Sequence, residues 1–248
     1  MIDFLREHIV LTKILFGAFL LILFALAILI AHKYEKTETR SERIKKYSTV
    51  AIFSALSILL YYLRIPFPVF TFLKIQFSNL PAYIIGFLLG PASGMMVVFI
   101  RTAVTIPFTS TLCVGEVADL LIGSATVLTS SLIYLSNKTK KQAGLALVFG
   151  SCAWILTAII ANWLLLVPLY IGLYFNANEA AFVGMLSGSL SFINESNYMF
   201  IYTLLGVIPF NLIITSACSL ITFLVYKRIS KVYKNIAKDE ASGLEEAK

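Results

Sequence analysis

Three stretches of this chain, Ile14 to Ala31, Leu145 to Leu169 and Phe200 to Tyr226, contain no Lys, Arg, Asp or Glu. Each is about as long as the ~20 apolar residues a helix needs to cross a bilayer. No water reaches the hydrocarbon, so a chain with such runs must satisfy its backbone groups inside helices or a closed barrel, and runs this long specify helices. Composition agrees: 13% of the 248 residues are charged and mean hydropathy is +0.87, whereas soluble domains carry about 25% charged residues. A soluble globule is excluded. The fold class is an all-α polytopic membrane protein.

Apolar runs read against helix breakers give candidate spans at 14–31, 48–63, 79–90, 91–108, 117–135, 144–168 and 200–226. Leu80 to Ile100 could be one span, but Gly90-Pro91 breaks it, and charge decides between the alternatives. Basic residues gather in three places: Lys33 to Lys46, Lys138 to Lys141, and Lys227 to Lys238. They fall on one side only if the chain turns back at Gly90-Pro91, and basic loops face the cytoplasm. The N-terminus is then outside and the C-terminus cytoplasmic. Tyr170 to Met199, which has no Lys or Arg, is also outside. The net charge of +7 is therefore loop placement rather than a nucleic-acid surface.

The organisation expected is an extra N-terminal transmembrane helix (1–31), a charged cytoplasmic linker (32–47), a six-helix core (48–233) and a polar cytoplasmic tail (234–248), disordered after Lys238. The Gly/Ser-rich stretch Ala180 to Ile193 is too short to span and is expected to be interfacial or partly re-entrant.

The chain has no GxxxxGK[ST] loop, so ATP must be hydrolysed elsewhere. Its histidines, His8 and His32, flank the first span, and neither a metal site nor a cofactor is expected. Cys113, Cys152 and Cys218 are far apart in apolar surroundings and read as small fillers. Ionisable and amide groups within spans are informative, because lipid exposure costs them several kcal/mol. They are few: Arg101, Glu116 and Asp119 one turn apart, Asn162 ahead of Pro168, and Asn211 after Pro209. Together they outline an outward-facing pocket. Two plainer roles stand beside that one: an Arg101 salt bridge to Glu116 or Asp119, and Asn side chains that satisfy helix carbonyls freed by proline.

The outer loop RIPFPVFTFLKIQFSNLP (64–81) carries prolines and four Phe, which makes it a stiff apolar lid or an interfacial aromatic belt. Ala51 and Ala55 form a small-xxx-small pattern through which another helix can approach closely.

Five segments in order, FLKIQFSNLPAYIIGFLLGPASG (72–94), STLCVGEVADLLIG (110–123), NKTKKQAG (137–144), NWLLLVPLY (162–170) and PFNLIITSACSLITFLVYKRIS (209–230), resemble the S components of energy-coupling factor (ECF) vitamin transporters of the riboflavin type. The resemblance covers about Tyr47 to Tyr233. It implies six helices around a vitamin site, a lid before the second of them, and docking of Ala51 and Ala55 on a transmembrane T component driven by two ATPase subunits. It carries over Asn162 and Asn211 as ligand contacts, and the candidate ligand set is Lys74, Gln76, Asn79, Thr111, Glu116, Asp119, Asn162, Tyr170 and Asn211. Gln76 and Asn79 stand where the family pattern has Asp, Asp119 where it has Asn, and Ile214 where it has Lys. Riboflavin is the expected ligand, with a related flavin such as FMN or another vitamin as the alternative. Of other classes, an intramembrane enzyme lacks a nucleophile or metal ligands beside its acids. A stand-alone carrier coupled to protons through Glu116 and Asp119 is the remaining alternative.

Overall fold

A computed structural model describes residue 29, residues 39–109 and residues 113–246, with side chains described through 233 and at 235. The span expected at 14–31 lies outside the described residues, as does most of the linker after it. Helix α1 (Arg40–Tyr62) starts inside that linker. Thr39 and Glu42 form a capping box there: the Glu42 amide donates to the Thr39 hydroxyl at 3.3 Å and the Thr39 amide to the Glu42 carboxylate at 2.8 Å. With its first amides satisfied, the helix can begin well before the apolar run. Lys46, Val50, Ser54, Ser57 and Tyr61 form its buried face.

A short hairpin follows. Strands β1 (Ile65–Pro66) and β2 (Lys74–Ile75) pair antiparallel, with Ile65 opposite Ile75. Helix α2 (Asn79–Leu89) then runs to Gly90, whose φ of 111° and following Pro91 end it and start α3 (Pro91–Thr105). The turn expected from charge at Gly90-Pro91 is present, and α2 and α3 pack closely. A Cβ on Gly94 would lie 2.9 Å from the Gly86 Cα and 3.0 Å from the Ala82 carbonyl oxygen, so only glycine allows the approach. At 11 residues, α2 is roughly 16 Å long and does not cross a ~30 Å core by itself. Pro81 to Phe87 are all buried, so protein rather than lipid surrounds it and its length need not match the bilayer.

Helix α4 (Val114–Ser136) returns to the basic end. Helices α5 (Lys140–Ala161) and α6 (Val167–Tyr174) form one rod joined by a π-turn, Asn162–Leu166, and the last rod has the same form: α8 (Tyr198–Ile201), a π-turn over Tyr202–Val207, and α9 (Ile208–Glu246). Each π-turn stands just before a proline, Pro168 or Pro209, whose missing N–H relaxes the local helical register. Both rods are long and apolar enough to cross a membrane, as are α1, α4 and the helix Pro91–Phe108. Helix α9 continues to Glu246, which corrects the expectation of a disordered tail after Lys238. The segment KDEASGLEE contains mostly good helix formers and adds turns to an established helix, where no new nucleus is needed. Between the rods, α7 (Glu179–Ser189) is capped by Asn178 and buries only Phe182, Val183 and Leu186. The stretch expected to be interfacial or re-entrant is thus a one-faced helix packed through Phe182 on Tyr170 of α6 and Tyr198 of α8.

Candidate functional site

Beneath the hairpin, enclosed by α1, α4 and the two π-turn rods, is a cavity of about 190 Å³. The hairpin is its lid, held by aromatic contacts. Phe70 is fully buried and meets Tyr202 edge-on at 5.4 Å, and Phe67 meets Phe210 at 5.7 Å. Gly206 makes room for Phe70, since a Cβ there would come within 2.8 Å of its ring. Phe72 reaches inward, stacked near Tyr170 (5.9 Å) and Tyr202 (6.0 Å) with ring planes within 29° of parallel. The site therefore offers flat apolar faces, suited to a planar aromatic ligand.

Polar groups enter at fixed points. The Trp154 indole donates to the Asn211 side-chain oxygen at 2.8 Å, and the Asn211 amide donates to the Val207 carbonyl at 2.7 Å. The Asn162 amide donates to the Ala158 carbonyl at 2.8 Å, and its oxygen accepts from the Tyr202 hydroxyl at 3.3 Å. Both Asn side chains thus satisfy a backbone carbonyl four residues back, and these are not the carbonyls of Leu164 and Leu205 that the prolines free, which corrects that part of the plainer role. Each still lines the cavity with spare donor and acceptor capacity. Ile214, 3% exposed, adds an apolar wall. On the lid side, Gln76 donates to the Asp119 carboxylate at 2.6 Å.

The sequence from 45 to 226 matches the family described as the substrate-specific component of ECF transporters. The chain belongs to that family. It is similar to the riboflavin transporter RibU of Staphylococcus aureus (strain TCH60), 26% identical over 193 residues that cover 77% of this chain and 94% of that protein. It is also similar to the riboflavin transporter FmnP of Bacillus subtilis (strain 168), 28% identical over 132 residues, 52% of this chain and 70% of that one. A solved structure described as the S component of a bacterial ECF transporter superposes with a TM-score of 0.61 at 24% identity, over 77% of this chain and 99% of the other. The architecture is shared.

In this S component, Lys74, Gln76, Asp119, Asn162, Tyr170 and Asn211 of the expected ligand set line the cavity. Asn79 and Glu116 do not. Asn79 is 2% exposed and its side-chain oxygen accepts from Arg101 at 2.7 Å. Glu116 is buried and accepts from the Tyr61 hydroxyl at 2.5 Å and the Thr109 hydroxyl at 2.7 Å. Thr111 lies outside the described residues. Arg101 corrects another expectation, since its hydrogen bonds go not to a carboxylate but to the Ser78 hydroxyl (2.6 Å), Asn79 and the Asp119 main-chain carbonyl (3.2 Å). The start of α2 approaches α3 so closely that neutral oxygens reach the guanidinium first. Phe72 belongs to the aromatic lid loop read from the sequence, whereas Trp154 and Tyr202 line the cavity without having stood out, because an aromatic residue in an apolar run looks the same whether it faces lipid or ligand. Ala51 and Ala55 lie on the exposed face of α1, beside Ile52, Leu56 and Leu59.

Proposed function

We propose that this S component binds riboflavin from outside the cell and delivers it inward as the substrate-binding subunit of an ECF importer. A T component would dock along Ala51 and Ala55, and two ATPase subunits would supply the energy. The observation that carries the reading is a lidded cavity lined by Phe72, Tyr170, Tyr202 and Trp154, with Asn162, Asn211, Gln76 and Asp119 interspersed. Flat aromatic faces suit a tricyclic ring, and the amides suit its carbonyl, imino and ribityl groups without burying an unpaired charge. The riboflavin transporters among its relatives support the choice. In this reading the lid faces outward, and the basic ends of α1, α5 and α9 face the cytoplasm.

The deciding experiment is to purify the chain alone in detergent from a vitamin-replete host, record its absorbance and identify any molecule released on denaturation. A stoichiometric yellow flavin is the expected result. A colourless protein that ignores added riboflavin would refute the ligand assignment. One observation favours a second reading, a related flavin or another vitamin: Ile214 supplies a buried apolar wall where the riboflavin-type pattern has a Lys. The same released-ligand mass separates the two readings.

A further inference from the structure

The lid joins the helical body by two stems, and both are held by one turn of α4. The first stem leaves α1 at Tyr61, whose hydroxyl donates to Glu116 at 2.5 Å. Arg64 fixes that corner by donating to the Tyr61 carbonyl at 3.0 Å, with its guanidinium 4.0 Å from the Tyr61 ring centroid. The second stem enters α2 through Gln76, which donates to Asp119 at 2.6 Å and accepts from the Ser78 amide at 3.1 Å. Beyond it, Ser78 is tied by its carbonyl to the Ser57 hydroxyl and by its hydroxyl to Arg101, both at 2.6 Å. The chain is thus anchored at Tyr61 and at Ser78, and between them the lid rests on the packing of Phe67 and Phe70.

We infer that the first turn of α4 is the lid latch, in which Glu116 is a positioning residue that fixes the Tyr61 stem and Asp119, through Gln76, holds the stem that opens. Burial distinguishes the two bonds. Glu116 is 1% exposed and lies behind the cavity wall, with only the Tyr61 side of that bond, 5% exposed, reaching the cavity. Gln76 and Asp119 are half-buried and line the cavity, where water or an entering ligand can compete for the carboxylate. A hydrogen bond to a carboxylate is stronger than a neutral one, so each bond has a measurable share in closure. Asp119 therefore trades a lid contact for a ligand contact, whereas Glu116 keeps the hinge in place.

The inference rests on the riboflavin reading only for its second readout. The first is amide hydrogen exchange of the purified chain in detergent without added ligand, comparing wild type with Gln76→Ala, Asp119→Ala and the double variant. Lid amides at 65–77 should exchange about ten-fold faster in each single variant, and no faster in the double, because one bond is lost in all three. Exchange in α5 should stay unchanged, which reports that the fold is intact. Unchanged lid exchange, or single effects that multiply in the double, would overturn the latch. Glu116→Gln, tested beside Tyr61→Phe, should likewise loosen residues 62–66, and equal protection there would remove Glu116 from the latch. The second readout is riboflavin release, which should quicken in Gln76→Ala by the same factor as lid exchange. A wild type that binds no riboflavin would sink the ligand assignment and leave the exchange result to decide the latch.

Discussion

Arg101 is the buried group whose removal should cost the fold most. At 1% exposure it donates to Ser78, Asn79 and the Asp119 carbonyl, and so ties the start of α2 to α3 and α4. Arg101→Met keeps much of the volume and removes every donor, leaving two buried acceptors, the Ser78 hydroxyl and the Asn79 side-chain oxygen, without this partner at about 1–3 kcal/mol each before relaxation. All of the Arg101 hydrogen-bond partners are neutral, so no charge is stranded and the two acceptors set the expected loss at about 2–6 kcal/mol. For a chain of this size each kcal/mol lowers the melting temperature by about 2–4 °C, so the variant should melt roughly 4–24 °C below wild type. Arg101→Lys retains the charge, but its single nitrogen cannot reproduce the spread of a planar fork, and it should recover about half of the loss. Thermal unfolding of the three proteins in one detergent, without added ligand, is the assay. A Met variant within about 2 °C of wild type, or one more stable than the Lys variant, would refute the idea that these three bonds hold the helix junction together.

Other expectations follow from single contacts. Gly94→Ala places a Cβ 2.6 Å from the Val127 side chain and against the backbone of Gly86 and Ala82; it should destabilise the protein by about 1–3 kcal/mol, read as a lower melting temperature. Gly123→Ala would put a Cβ 2.6 Å from the Asn79 side-chain oxygen, and its loss should be non-additive with Arg101→Met in a double-mutant cycle of melting temperatures. Trp154→Phe removes the donor to Asn211 and should weaken flavin binding about ten-fold in a fluorescence titration while leaving the lid contacts intact. Ala51→Leu with Ala55→Leu should leave flavin binding by the isolated chain unchanged and abolish uptake in cells supplying the ATPase partners, because both residues face away from the cavity.

The helical plan was legible because its signals are local or summed along the chain. Charge-free runs mark the rods, and the Gly90-Pro91 turn follows from which loops carry Lys and Arg. Legibility ended where a partner lies far away in sequence. Nothing near Glu116 indicates that it holds Tyr61, 55 residues earlier, and nothing near Arg101 says that its oxygens come from Ser78 and Asn79. Asn162 and Asn211 were readable as polar groups beside prolines, but their partners Trp154 and Tyr202 lie too far along the chain for any local pattern to pair them: Tyr202 bonds Asn162 from 40 residues away and Trp154 bonds Asn211 from 57. The start of α1 was misplaced for the opposite reason: Thr39 and Glu42 are a local capping signal hidden within a charged segment.

Helix α2 also bears on how the protein reaches the membrane. Emerging from the ribosome, an 11-residue helix is too short to be threaded across by an insertase as an independent segment. It must enter paired with α3, turning at Gly90, as a unit of two strokes rather than one. Arg101 would then wait in the lipid phase without its last acceptor until α4 delivers the Asp119 carbonyl. The biogenesis machinery therefore has to shelter the 79–105 hairpin while α4 is being synthesised, and a nascent chain stalled before residue 119 should remain bound to it.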